Sequence, residues 1–236
     1  MKSIENMNLI NKISVETQLY RYDVIQPPTE GWSNDYKSPI YEYEHGHKNE
    51  IGAFYFFDSR TVSIEVGKNV IDKKKELIEE KNPELSLWIT STRNLEELIM
   101  LDLSLCSDVI DLYVSLWNEG IDVFRDDFYK FSRFNTSKLS QIREDVEYLS
   151  RQKESSSDKS LTCKCNISNL FHEYEEKDKL GYASQGLTDF CNGKIFKDLL
   201  EERGLDGYIF RETDANTYCL FNSVKLSQPV ALTYTY

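Results

Sequence analysis

The sequence predicts an α+β fold, and three observations predict it. Runs rich in aromatic and β-branched residues stand near both ends of the chain: Gln18 to Ile25 and Gly52 to Phe57 early, Tyr208 to Arg211 and Thr217 to Phe221 late. Between them, apolar residues recur at helical spacing. No internal repeat is visible, which sets aside solenoids and propellers. A chain of 236 residues, 40% hydrophobic and 29% charged, can bury one full core. A single domain over 1–236 is expected, mostly antiparallel at its ends, with a helical middle from about 105 to 205 and a flexible loop at about 152–164.

Taken in order, Gln18 to Ile25 stops as a strand should at Pro27-Pro28. Pro27 to Gly46, turn-rich and aromatic, reads as a long ordered loop. Gly52 to Phe57 is a short apolar strand, after which Asp58 or Ser59 N-caps a helix that Gly67 closes. Leu85 to Thr90 and Leu98 to Leu103 are two further strands. Val109, Leu112 and Leu116 mark a helix after Ser107, stopped by Gly120. Leu139, Ile142, Val146 and Leu149 share one face of another. The serine-rich stretch Gln152 to Lys164 has no apolar periodicity and reads as the loop. A helix from about Thr188 to Arg203 turns Phe190, Phe196, Leu199 and Leu200 inward and ends at Gly204. The two late β runs then form a hairpin around Glu212 to Asn216.

Twenty-eight Lys and Arg against 40 Asp and Glu give a net charge of −12. Such a surface repels phosphate backbones and anionic membranes at long range, although a few buried cations can still hold a small polyanion. No apolar run is long enough to span a bilayer, and MKSIENMNLINK has no apolar export core, so a cytoplasmic location is expected. Five scattered cysteines then read as free thiols. Cys163, Cys165, His172 and Cys191 match no zinc spacing, and His45-Gly46-His47 reads as a solvated loop, so no metal is expected. Phosphate-loop, dinucleotide-fingerprint and serine-nucleophile motifs are all missing.

Three segments carry candidate chemistry. In Leu19-Tyr20-Arg21-Tyr22, alternation puts Arg21 on the face of Leu19 and Asp23, where a buried guanidinium needs an anionic partner. The plain use of a strand arginine is as a surface cation or an ion-pair member; a ligand diphosphate would supply the anion in the functional one. Gly52 to Ser59 offers flat rings at Tyr55 and Phe57, on one face, and a helix N-terminus at Ser59, with core packing as the plainer use of the same residues. The third is the succession of helix, Gly204-Leu205-Asp206-Gly207-Tyr208 turn, strand, hairpin and a strand ending in Phe221-Asn222.

At these residues, roughly 18–67 and 190–228, the chain resembles the ADP-ribosyltransferase-like superfamily, including bacterial and phage toxins and relatives of the arginine-glutamate-serine toxin family. The resemblance implies a split β-sandwich with an NAD cleft, and transfer of ADP-ribose from NAD to a macromolecule or cleavage of NAD. It implies Arg21 as the diphosphate cation with Tyr22 beside it, Tyr55 and Phe57 as the aromatic strand, and Ser59 at the following cap. Breaking the nicotinamide–ribose bond passes through an oxocarbenium-like state, which needs negative charge near the ribose. Ser91-Thr92 is similar to a pair that some members place on a central strand, although it falls after the second motif.

The usual ribose-binding Glu is replaced by Thr217 ahead of Tyr218. Thr217 acts as a hydrogen-bonding group, or the chain is an inactive binding module, or another carboxylate serves. Glu212 is the candidate carboxylate: with Asp214-Ala215 as the turn it lies opposite Thr217, on the same face. The expected partners are NAD and a macromolecular acceptor, protein favoured over nucleic acid by the charge, without membrane. A toxin would imply a neutralising antitoxin protein. The alternatives are an NAD glycohydrolase and a binding module that uses the aromatic loop Trp32 to Tyr43.

Overall fold

The computed structural model describes residues 8–24, 27–28, 31–32, 53–79, 86–124, 138–153, 156–170, 193–212 and 215–234. The strands are β1 (Ile10–Ile13), β2 (Gln18–Asp23), β3 (Phe54–Phe57), β4 (Leu87–Arg93), β5 (Leu98–Asp102), β6 (Gly207–Glu212), β7 (Ala215–Leu220) and β8 (Val230–Tyr234). The helices are α1 (Arg60–Glu79), α2 (Val109–Asn118), α3 (Leu139–Arg151), α4 (Asp158–Leu170) and α5 (Gly193–Glu201). The fold is α+β, with one eight-stranded sheet in the order β1-β5-β6-β7-β3-β2-β4-β8. No helix among the described residues is long and apolar enough to cross a membrane.

The chain divides into two compact units, each drawn from several stretches of sequence. One comprises Lys12–Met100, Asp206–Tyr208 and Ala215–Tyr236, and the other Met1–Asn11, Leu101–Leu205 and Ile209–Asp214. In the first, β2 runs antiparallel to both β3 and β4, with Tyr20 opposite Phe57 on one side and Ser91 on the other. β3 continues to β7, with Phe57 opposite Thr217 and Phe56 opposite Tyr218. Directly opposed residues share a face, so this register fixes which side chains meet.

α1 packs on β2, β3 and β4. The Ser59 hydroxyl accepts the Val62 N–H at 3.4 Å, the expected N-cap. The expected stop at Gly67 is not one, because the helix continues to Glu79. Gly67 serves packing instead. A Cβ there would lie 2.6 Å from Leu87 Cδ1 and 3.0 Å from Tyr22 Cβ, so its bare backbone lets the helix sit close against the sheet. The core beneath is Val24, Ile71, Leu87 and Ile89, with Tyr20, Tyr22, Ile64 and Val70 against it.

The second unit is built on the mutual packing of α2, α3 and α4. Asp108 caps α2 by accepting the Asp111 N–H at 2.8 Å. Gly120 ends it in the left-handed region (φ 77°), and Ile121 N–H reaches back to the Leu116 carbonyl. Gly204 (φ 73°) and the Leu205-to-Leu200 bond end α5 in the same way, so both expected glycine stops hold. Leu139, Ile142, Val146 and Leu149 are all buried on α3, as their spacing requires. The expected loop at 152–164 is in large part α4: Ser157 accepts the Ser160 N–H at 3.2 Å, so a serine of the polar run is the helix cap.

Candidate functional site

One face of β2 and β4 gathers polar side chains that a sheet ordinarily keeps apolar. Arg21 and Asp23, two residues apart, point to the same side, and Arg21 Nε donates to Asp23 Oδ1 at 3.0 Å. Their side chains are 12% and 2% exposed, so the pair is a largely desolvated one. Thr90, directly opposite Arg21, donates its hydroxyl to Asp23 Oδ2 at 3.3 Å and is itself buried. Both carboxylate oxygens of Asp23 are therefore engaged, which a buried carboxylate requires.

Next along β4, Thr92 shares this face and donates to the Ser227 carbonyl at 2.9 Å. The same carbonyl accepts Trp32 Nε1 at 2.8 Å. Trp32 in turn sets its ring edge-on to Phe54 and Phe56, with centroids 5.9 and 5.2 Å away. Phe54 and Phe56 belong to the Arg21 face because their neighbour Phe57 pairs with Tyr20. This face thus carries a guanidinium, a carboxylate and two threonine hydroxyls together with Phe54 and Phe56 and the Trp32 ring against them.

The other residues singled out from sequence do not join it. Tyr22, Tyr55, Phe57 and Thr217 lie on the opposite face: Tyr20 is opposite Phe57, Phe57 is opposite Thr217, and Tyr22 stacks on Phe57 with centroids 6.3 Å apart. The grouping of Arg21 with Tyr55 and Phe57 is therefore corrected by strand register. Each strand's own alternation holds, but the parity between strands is the reverse of the one a shared site needs. Thr217 is 2% exposed on that far face. The Ser59 hydroxyl is committed to its helix. The expected register around Glu212 also changes, since Ala215 already belongs to β7 and is not a turn residue. The Glu212 side chain lies outside the described residues, as do His45, His47, His172, Cys191 and all but Trp32 of the loop to Tyr43.

The residues that sequence reasoning missed are Thr90, Phe54 and Phe56, and Trp32 was named only as part of the aromatic loop. Asp23 was visible as the partner two residues from Arg21. The others needed cross-strand register.

The Gly-Leu-Asp-Gly-Tyr turn has a structural account. A Cβ on Gly207 would meet the Cys219 carbonyl oxygen at 1.9 Å, so only glycine fits. Asp206 accepts the Ile99 N–H at 2.8 Å and pairs with Lys225 at 2.8 Å.

Cysteines 106, 163, 165 and 219 are free thiols. No group of metal-ligating side chains occurs among the described residues. In comparison with known proteins, the chain matches no family model, and no curated protein or solved structure is significantly similar to it.

Proposed function

We propose that this chain is an NAD-consuming enzyme of ADP-ribosyltransferase-like architecture, a split β-sandwich whose cleft takes the dinucleotide, moving ADP-ribose to a macromolecular acceptor. The observation that carries the reading is Arg21 on an early core strand, largely buried and oriented by Asp23, on the sheet face that also carries Phe54 and Phe56 with Trp32 against them. A fixed guanidinium recognises a diphosphate in bidentate fashion, and ring edges and faces accept a heteroaromatic base. The ring with surface to offer the dinucleotide is then Trp32, half-buried over the fully buried Phe54 and Phe56, in place of Tyr55 and Phe57. Glu212, the last residue of β6, is the candidate carboxylate for the chemical step. With a net charge of −12, a protein acceptor is favoured over nucleic acid.

The test is incubation of the purified chain with NAD labelled in its adenylate half. Released nicotinamide together with label on a protein supports transfer. Release without transferred label makes the chain a glycohydrolase, and no release overturns the enzymatic reading. Glu212→Gln is expected to abolish nicotinamide release with an unchanged circular-dichroism spectrum; undiminished release removes Glu212 from the mechanism.

A catalytically inactive binding module is the second reading, favoured by a specific observation. Asp23 already neutralises Arg21, and the usual glutamate position, Thr217, faces away from it.

A further inference from the structure

We infer that β8 is a self-association edge, pairing antiparallel with β8 of a second copy of this chain. Among the described residues β8 ends the sheet order, with β4 on its inner side. An outer strand presents backbone donors and acceptors to any strand of matching register, and proteins ordinarily guard such edges with Lys, inward charges or a bulge. Here Leu226 to Tyr236 contains no Asp, Glu, Lys, Arg or His, in a chain where charged residues are 29% of the total. Pro229 precedes the strand, so it does not interrupt the paired residues.

The side chains point to the same use. Val230 and Leu232 are 56% and 52% exposed, large values for branched aliphatic residues on a strand. They lie opposite Ser91 and Ile89, hence on the face where Ile89 joins the Val24, Ile71 and Leu87 core beneath α1. The apolar surface of that core thus runs outward along the sheet onto β8.

A second copy is the occupant that charge selects. Each molecule carries −12, so contact through most of the surface brings like charges together. The uncharged edge is where two copies meet without that repulsion. Two-fold antiparallel pairing is also self-complementary, because opposed residues share a face. Val230 and Leu232 of one copy then come beside Leu232 and Val230 of the other, and the stripe that each molecule leaves in water is closed by its mate. The contact is small, so the dimer is reversible and depends on concentration.

Sedimentation velocity of the full chain across a wide concentration range tests this. Expected is a monomer–dimer equilibrium whose dissociation constant rises about tenfold or more in Leu232→Lys, since each new ammonium is then set against Val230 of the mate and loses water without a counter-charge. Val230→Lys acts as an independent second variant. Both positions are exposed, so the spectra of the folded monomer stay unchanged. Amides of 230–234 are expected to exchange more slowly as concentration rises. A chain that stays monomeric throughout overturns the inference, as does a dimer that both lysine variants leave intact. Recovery of a heterologous strand on β8 with no self-association overturns it as well.

Discussion

Asp23 is the residue through which the polar face of β2 and β4 holds together. Its carboxylate is buried, takes Arg21 Nε on one oxygen and the Thr90 hydroxyl on the other, and so offsets desolvation on both sides of the ion pair. Removing one member of such a pair costs more than the pair itself contributes, because the remaining charge loses its counter-charge in a low-dielectric setting. Asp23→Ala is therefore expected to destabilise the chain by about 3–5 kcal/mol, read from urea unfolding. Adding Arg21→Met should recover part of that loss by removing the charge itself. A cost under about 1 kcal/mol would mean that Asp23 is not what compensates the guanidinium. The same residues show how much of the site was legible. An arginine in an apolar strand, with an aspartate two positions on, reads directly as a same-face pair. That Trp32, Phe54 and Phe56 join it and Tyr55 and Phe57 do not depends on which residues oppose each other across strands. Alternation within one strand leaves that parity open.

Among the elements, α1 shows how one glycine is read in two ways. A glycine after a run of helical spacing has the signature of a C-terminal cap, and at Gly120 and Gly204 the positive φ bears that out. Gly67 has no such φ, and its helix runs on, because the missing side chain leaves room for Leu87 and Tyr22. Gly67→Ala sets two effects against each other. Alanine gains about 1 kcal/mol of helix propensity, whereas overpacking a tight contact costs about 1–3 kcal/mol. Leu87 is buried and opposes movement, so net destabilisation of up to about 2 kcal/mol is expected in urea unfolding. Stabilisation would show that Leu87 and Tyr22 yield freely. α4 teaches the converse: Ser157 lies in a run that looks like a loop, but a serine is as good a helix cap as a loop residue, and Cys163 and Ile167 supply the buried side of the helix. β8 was illegible for a third reason, since five residues at a sheet edge carry little periodicity of their own and owe their conformation to pairing with β4.

For the molecule as a whole, the buried thiols tie stability to alkaline pH. Burial pushes the Cys106 thiol up from its ordinary 9.0 to about 11, with Asp111, Asp102 and Asp108 nearby adding to the shift. Burial likewise raises Cys163 from 9.0 to about 11, reinforced by its 3.2 Å hydrogen bond to Asp145 Oδ1. Each folded thiol holds its proton more tightly than the unfolded one does. Their contribution is therefore complete below pH 9.0 and lost as pH climbs through about 11. The loss over that window is on the order of several kcal/mol for the two together. Net charge acts in the same direction, because a chain at −12 becomes more negative as pH rises and repels itself more. Salt separates the two contributions: at about 0.5 M the mutual repulsion of surface charges is largely screened, while the desolvation of a buried thiolate is not. Urea midpoints measured from pH 7 to 11 at high salt should hold steady and then fall above about pH 9, the ordinary thiol range. The fall should shrink in Cys163→Ala, which removes one of the two protons held. A midpoint that stays level to pH 11 would mean that water reaches both sulfurs in the folded chain, and a fall that salt abolishes would assign it to net charge alone.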